Sequence, residues 1–270
     1  MLECGARGLC LSGATGEYSI ATEAERIESL EWIRAIVPED RLLLAGVGAP
    51  DTQSAIRLAE RFERAGADIL LVPPPHFFPY PAAEIEEFYR VFAAATAMPI
   101  LIYNLPSFTS GVPLSTVVRL IETVPNIVGV KDSSGETEIL QALTAQPELG
   151  ARRIIGNDNA FRAVLEGRLV DGCISGVAGV LPELTVACMQ SASDPALALL
   201  EELIPQLGPF PTPWALKLMA ESRGFFPARH AMPASAGMQS DIRAFQEWFA
   251  GWWPTALSVL SASLQTTSTR

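Results

Sequence analysis

Short apolar runs alternate with longer amphipathic stretches along this chain, and that alternation predicts its fold. Seven runs have strand length, over residues 8–12, 42–47, 69–72, 100–103, 127–131, 153–156 and 172–175. Between them, apolar positions recur at helical spacing over 22–36, 52–65, 82–95, 114–122 and 137–145. Strands that alternate with helices pair in parallel through right-handed crossovers. Three strands are entered through one kind of turn: Gly5-Ala6-Arg7, Gly66-Ala67-Asp68 and Gly150-Ala151-Arg152. A glycine that closes a helix directly before a strand accounts for each.

Seven strand–helix steps in 270 residues predict an α/β fold of the (β/α)8 TIM-barrel kind rather than an open doubly wound sheet. No G-x-G-x-x-G follows the first run, which removes the dinucleotide-binding signature. Barrel closure takes eight strands. Residues 1–7 read as the last turn of a helix, so the first strand and helix are expected to precede residue 1, or the barrel is shortened with an open seam. The barrel is assigned to residues 1–180 and a helical C-terminal extension to 181–270. Helices are expected there over 182–190, 196–207, 213–222 and 241–252, interrupted by the stiff Gly208-Pro209-Phe210-Pro211-Thr212-Pro213. Trp248, Trp252 and Trp253 are expected to supply packing bulk or a subunit contact, and the polar tail 265–270 to fray.

Composition narrows the function. A hydrophobic share of 49% against 18% charged residues describes a chain with a large core. A formal charge of −11 argues against nucleic acid and anionic membrane as partners, since both select basic patches. No apolar run approaches the ~20 residues of a membrane span and no leader pattern opens the chain, so a cytoplasmic protein is expected. Cys4, Cys10, Cys173 and Cys188 show no CxxC spacing and read as small buried hydrophobes in a reducing compartment. With only His76 and His230, a histidine metal site or a triad is not expected.

The chemistry centres on Asn126–Gly135, Asn-Ile-Val-Gly-Val-Lys-Asp-Ser-Ser-Gly. This is a buried strand that ends in Lys131, followed by Asp132, Ser133 and Ser134 with helix-capping chemistry. The chain has two lysines, Lys131 and Lys217, against seventeen arginines. Solvated positive charge is carried by arginine, so a strand-end lysine is expected to be kept for what an amine alone can do, the alternative being a side chain that snorkels to water. A desolvated amine that sheds its proton attacks carbonyl carbon and forms a Schiff base.

In a barrel, active sites lie at the C-terminal ends of the strands. There, Ser12-Gly13-Ala14-Thr15-Gly16-Glu17 can turn backbone N–H groups toward an anion, or serve as an ordinary tight turn. Tyr103, at the end of the fourth strand, can relay protons or be a satisfied core tyrosine. His76 is a general acid/base candidate or an exposed loop residue, and Asp158 reads as a helix cap.

Taken in order, Gly13-Ala14-Thr15-Gly16-Glu17 with Glu25-Arg26, Tyr103-Asn104-Leu105-Pro106 with Thr109 and Gly111, and Val128-Gly129-Val130-Lys131-Asp132 resemble the dihydrodipicolinate synthase / N-acetylneuraminate lyase family of class I pyruvate-dependent aldolases. Gly172-Cys173-Ile174-Ser175 fits the same pattern. The resemblance implies pyruvate, or the pyruvate end of a 2-keto acid, held as a Schiff base on Lys131. Tyr103 would shuttle protons, and Ala14 and Thr15 would hold the carboxylate. Ser133 and Ser175 would line the substrate. No metal or organic cofactor is implied, and the family suggests a homo-oligomer, a dimer or tetramer.

Three departures bear on the second substrate. Ala14 lacks the relay hydroxyl of the dihydrodipicolinate synthases, their neighbouring-subunit tyrosine has its counterpart in Phe77, and their carboxylate-gripping arginine in Phe108. A pyruvate-dependent lyase acting on a 4-hydroxy-2-oxo acid with a less charged aldehyde partner is therefore expected. The alternatives are a true dihydrodipicolinate synthase, a 2-keto-3-deoxy sugar acid dehydratase, or, from another class, a non-catalytic barrel that binds a keto acid.

Overall fold

A computed structural model of the chain describes residues 1–191 and 194–267. It divides into two compact units, Arg7–Ile174 and a second made of Met1–Ala6 with Ser175–Arg270.

The first unit carries all seven expected strands: β1 (Gly8–Leu11), β2 (Leu42–Gly46), β3 (Ile69–Val72), β4 (Ile100–Asn104), β5 (Ile127–Asp132), β6 (Arg152–Ile155) and β7 (Gly172–Cys173). They form one parallel sheet in the order β1-β2-β3-β4-β5-β6-β7. The connecting helices are α1 (Glu23–Ile36), α2 (Thr52–Arg64), α3 (Ala82–Ala94), α4 (Leu114–Thr123), α5 (Glu138–Thr144) and α6 (Phe161–Glu166). A doubly wound sheet reverses its strand order at a switch point, and this one runs in chain order throughout.

The sheet curls. Laid flat, β1 and β5 would sit about 19 Å apart at the usual strand spacing. Yet the Lys131 charge on β5 acts on the Cys10 thiol of β1, pulling down a value that burial pushes up. The concave face gathers Leu44, Leu71, Leu101, Tyr103 and Leu105, with Cys10, Ala14, Val128, Ile154 and Ile174 packed against them. The opposite faces of β3 and β4 are also fully covered, so these strands read in sequence as unbroken apolar runs.

The three glycine turns behave as predicted: Gly5, Gly66 and Gly150 have φ of 100°, 91° and 61°. The start of α1 is set by a capping box. Thr22 Oγ1 accepts from the Glu25 N–H, and the Glu25 carboxylate accepts from the Thr22 N–H at 2.8 Å. That start fixes where the next residue, Arg26, points.

The second unit is helical: α7 (Pro182–Ser191), α8 (Asp194–Leu207), α9 (Trp214–Ser222) and α10 (Ala236–Thr267). Helix α10 is much longer than the 241–252 predicted, and it takes in 265–267 of the tail expected to fray; residues 268–270 lie outside the described residues. Phe245, Trp248, Phe249, Trp252 and Trp253 stack along it, so the tryptophans do supply packing bulk. Arg223 is gripped by the Glu183 carboxylate, 2.6 Å away, and lies over the Trp253 ring. Cys188 is buried as expected, whereas Cys4, Cys10 and Cys173 are only half-buried. No helix among the described residues is long and apolar enough to cross a membrane.

Candidate active site

Tyr103 and Lys131 pair in register on the facing strands β4 and β5. They share the concave face, and the Lys131 Nζ lies 4.0 Å from the Tyr103 ring centroid. Both are buried, at 5% and 3% exposure for the lysine and the tyrosine. Among the described residues no carboxylate forms an ion pair with the amine, and the aromatic face of Tyr103 is the neighbour it packs on.

Room for the lysine is made by the neighbouring strand. Gly156 follows β6, and a Cβ there would fall well inside contact distance of the Lys131 Cε and the Ser133 Oγ, and 3.3 Å from the Lys131 Nζ. Amine and hydroxyl therefore converge on the space a methyl group would fill. The Ser133 Oγ is buried without a hydrogen-bond partner among the described residues, a cost of roughly 1–3 kcal/mol unless a bound molecule supplies one.

One residue further along each strand, the side chains turn to the other face and lock the strand ends. Asn104 Nδ2 donates to Asp132 Oδ1 at 3.0 Å, and the Val112 N–H donates to Asn104 Oδ1 at 3.0 Å. Asp132 Oδ1 also accepts from the Ser134 N–H at 2.9 Å. Asp132, Ser133 and Ser134 thus do not cap the following helix as predicted; α5 starts at Glu138, and Asp132 is spent on the β4–β5 junction. Behind β4, the buried Tyr89 of α3 donates to the Val72 carbonyl at 2.7 Å and accepts from the Tyr103 backbone.

In the loop after β1, the Gly16 and Glu17 N–H groups are consumed on the carbonyls of Gly13 and Ala14. Those of Ala14 and Thr15 make no such bond among the described residues and remain able to donate. Ala14 packs against the cluster that holds Tyr103, and Thr15 is exposed.

Phe77 and Phe108 are not brought to the lysine. They are 85% and 56% exposed, on two loops joined by a backbone bridge between His76 and Thr109 and by the Tyr80 N–H on Ser110 Oγ. The side chain that turns inward is His76, edge-on to Tyr18 with ring centroids 5.8 Å apart. Ser175 opens the second unit, where its Oγ accepts from the Ala178 N–H. Asn157, rather than Asp158, provides the cap after β6.

Tyr18 and the structural part of Arg26 escaped the sequence reading. Arg26 is 6% exposed and donates to the carbonyls of Gly46 and Gly48, tying α1 to the end of β2. Burial lowers it to about 10, so it keeps its charge at neutral pH. Its neighbours are the Tyr18 and Phe62 rings, 5.5 and 5.7 Å away. The signal available in sequence was an arginine directly after a capping box, which places it on the first turn facing the sheet.

The sequence model of the dihydrodipicolinate synthetase family matches residues 1–218. Over 193 residues the chain is 33% identical to an uncharacterized DapA-like lyase of Halobacterium salinarum, which covers 71% of this chain and 62% of the relative. It is 33% identical over 196 residues to 4-hydroxy-tetrahydrodipicolinate synthase 1 of Streptomyces coelicolor, covering 69% and 60% of the two chains. The chain thus spans about three fifths of the length of these curated relatives. Among solved structures, the dihydrodipicolinate synthase of Thermotoga maritima superposes with a TM-score of 0.83 at 25% identity, over 93% of this chain and 89% of that one. The Acinetobacter baumannii synthase, solved in complex with pyruvate, gives a TM-score of 0.81 at 24% identity over 91% and 88%, a likeness of fold. With the model matched from residue 1 to residue 218, this chain belongs to the dihydrodipicolinate synthetase family.

Proposed function

We propose that the chain is a Schiff-base-forming, pyruvate-dependent carbon–carbon lyase that cleaves or forms a 4-hydroxy-2-oxo acid. The observation that carries this reading is the buried Lys131 amine held 4.0 Å from the Tyr103 ring, with the unpartnered Ser133 hydroxyl beside it. The Lys131 Nζ attacks the ketone carbon of the keto acid, and loss of water leaves an iminium. In cleavage, the C3–C4 bond breaks, its electrons pass into the iminium to give an enamine, and the C4 hydroxyl leaves as an aldehyde after giving up its proton. Protonation of the enamine at C3 and hydrolysis then return the amine and release pyruvate. The Tyr103 hydroxyl carries protons in these steps. The free N–H groups of Ala14 and Thr15, with the Thr15 hydroxyl, hold the keto acid carboxylate. Ser133 supplies a further hydrogen bond. No metal or organic cofactor enters this scheme, because the iminium is the electron sink.

Family membership and the pyruvate complex of the Acinetobacter baumannii neighbour support the keto acid half. Relatives named 4-hydroxy-tetrahydrodipicolinate synthase favour a second reading, dihydrodipicolinate synthesis itself. The missing hydroxyl at Ala14 counts against it. The sequential parallel order supports reading the seven strands as those of a (β/α)8 barrel. The exposed Phe77, Phe78, Tyr80 and Phe108 support a homo-oligomer, a dimer or tetramer, and the acidic composition suits the cytoplasm.

Borohydride reduction in the presence of pyruvate, followed by peptide mass spectrometry, tests the reading. A reduced pyruvyl adduct on the Lys131 peptide, absent in Lys131→Ala, is expected. A folded protein without adduct would overturn it in favour of a keto acid-binding barrel. Release of pyruvate from 4-hydroxy-2-oxo acids separates the lyase from a dehydratase, which loses water and yields none.

A further inference from the structure

Beside Tyr103 lies a second set of polar groups that the scheme above leaves unused. His76 follows β3, next to the strand that carries Tyr103, and its imidazole packs edge-on against Tyr18. The His76 Nδ1 is buried with no hydrogen-bond partner among the described residues. Tyr18 is itself buried and lies within electrostatic reach of both Tyr103 and Arg26.

The backbone is bent to produce this arrangement. Phe77 has φ of 84°, a left-handed conformation that is unfavourable for a bulky aromatic residue by about 1–3 kcal/mol. It lets consecutive residues diverge, with Phe77 sent to solvent and His76 kept inside. A backbone bridge from His76 to Thr109 holds the main chain at this point. Strain and an orphaned buried nitrogen at one point mark a place built for a ligand rather than for packing.

We propose that Tyr18 and His76 form the subsite for the oxygen-bearing end of the second substrate, which is accordingly a neutral hydroxyaldehyde rather than an apolar or anionic aldehyde. This rests on the pyruvate-lyase reading and specifies its partner. A hydroxyl of the aldehyde gives the imidazole nitrogen the hydrogen bond it lacks, and the Tyr18 phenol meets a second oxygen. Both Nη groups of Arg26 donate to the Gly48 and Gly46 carbonyls, so its terminal fork is not presented as a carboxylate clamp, while its Nε is buried without a partner among the described residues. A site built to hydrogen-bond an oxygen rejects an analogue lacking it, because its own polar groups are then left unpaired.

The experiment compares condensation of pyruvate with glyceraldehyde and with propionaldehyde in wild type, Tyr18→Phe and His76→Phe. The readout is the ratio of the two kcat/KM values, which cancels a general loss of activity. Wild type is expected to prefer glyceraldehyde, and each variant to lower the ratio by about 10-fold or more. Should His76→Phe fail to fold, the near-isosteric Tyr18→Phe decides. An unchanged ratio in Tyr18→Phe, or a wild type that traps pyruvate yet shows no preference for glyceraldehyde, overturns the subsite alone. A wild type that traps no pyruvate removes the underlying reading, and the subsite with it.

Discussion

The Lys131 amine and the Tyr103 ring face each other across one register step of β4 and β5, 4.0 Å apart on the concave side of the sheet. Tyr103 thus has two separable parts, a ring that shelters the amine and a hydroxyl that moves protons. In Tyr103→Phe the ring stays, so the thermal midpoint should hold within a degree or two while formation of the trapped pyruvyl adduct slows by about 100-fold. Equal loss of both would assign the tyrosine to packing.

Gly156 sets the space for the amine. Gly156→Ala should cost about 1–3 kcal/mol of stability by overpacking and sharply reduce pyruvate trapping. Denaturant unfolding and the borohydride trap read the two effects. A variant of normal stability and normal trapping would show that the lysine does not use this room.

Asp132 is bonded to Asn104 and to the Ser134 N–H at the buried end of the sheet. Asp132→Ala leaves the Asn104 amide without its acceptor, and about 2–4 kcal/mol of destabilisation is expected in urea unfolding. Asp132→Asn, which can still accept these bonds, should recover most of that loss.

His76 is held below its ordinary 6.5, first by burial and second by the Arg26 charge, with the Tyr18 ring as its other neighbour. Between its lowered folded value and 6.5 the unfolded chain binds more protons, so stability rises with pH across that window and is lost as pH falls below about 6.5. His76→Gln removes this component. The difference in urea midpoint between wild type and variant should therefore shrink on going from pH 7.5 to pH 5.5, and a constant difference would contradict it.

The strands were legible because both faces of β3, β4 and β5 are covered and leave unbroken apolar runs. Helix α6 went unread because six residues hold less than two turns of periodicity. Helix α10 was shortened because Gly237, Gly251 and Pro254 dilute its pattern. Lys131 and Tyr103 could be found as strand ends, which local sequence marks. Phe77 was placed by motif spacing, and spacing carries no information about the sign of φ that turns its ring outward. Asp132 reads locally as a helix cap because its true partner, Asn104, lies on another strand. Tyr18 and His76 meet only through tertiary approach, which nothing local announces.

The pocket for the Lys131 side chain is a property of two strands, and this orders what mutation can do to the chain. While Lys131 and Ser133 are present, position 156 tolerates hydrogen alone; once both side chains are shortened, a methyl group there becomes a filler for the cavity left behind. The same substitution is then harmful on one genetic background and restorative on the other. Loss of the amine is thereby a one-way step: a chain that has abandoned Lys131 and filled the void must undo the second change before regaining the first.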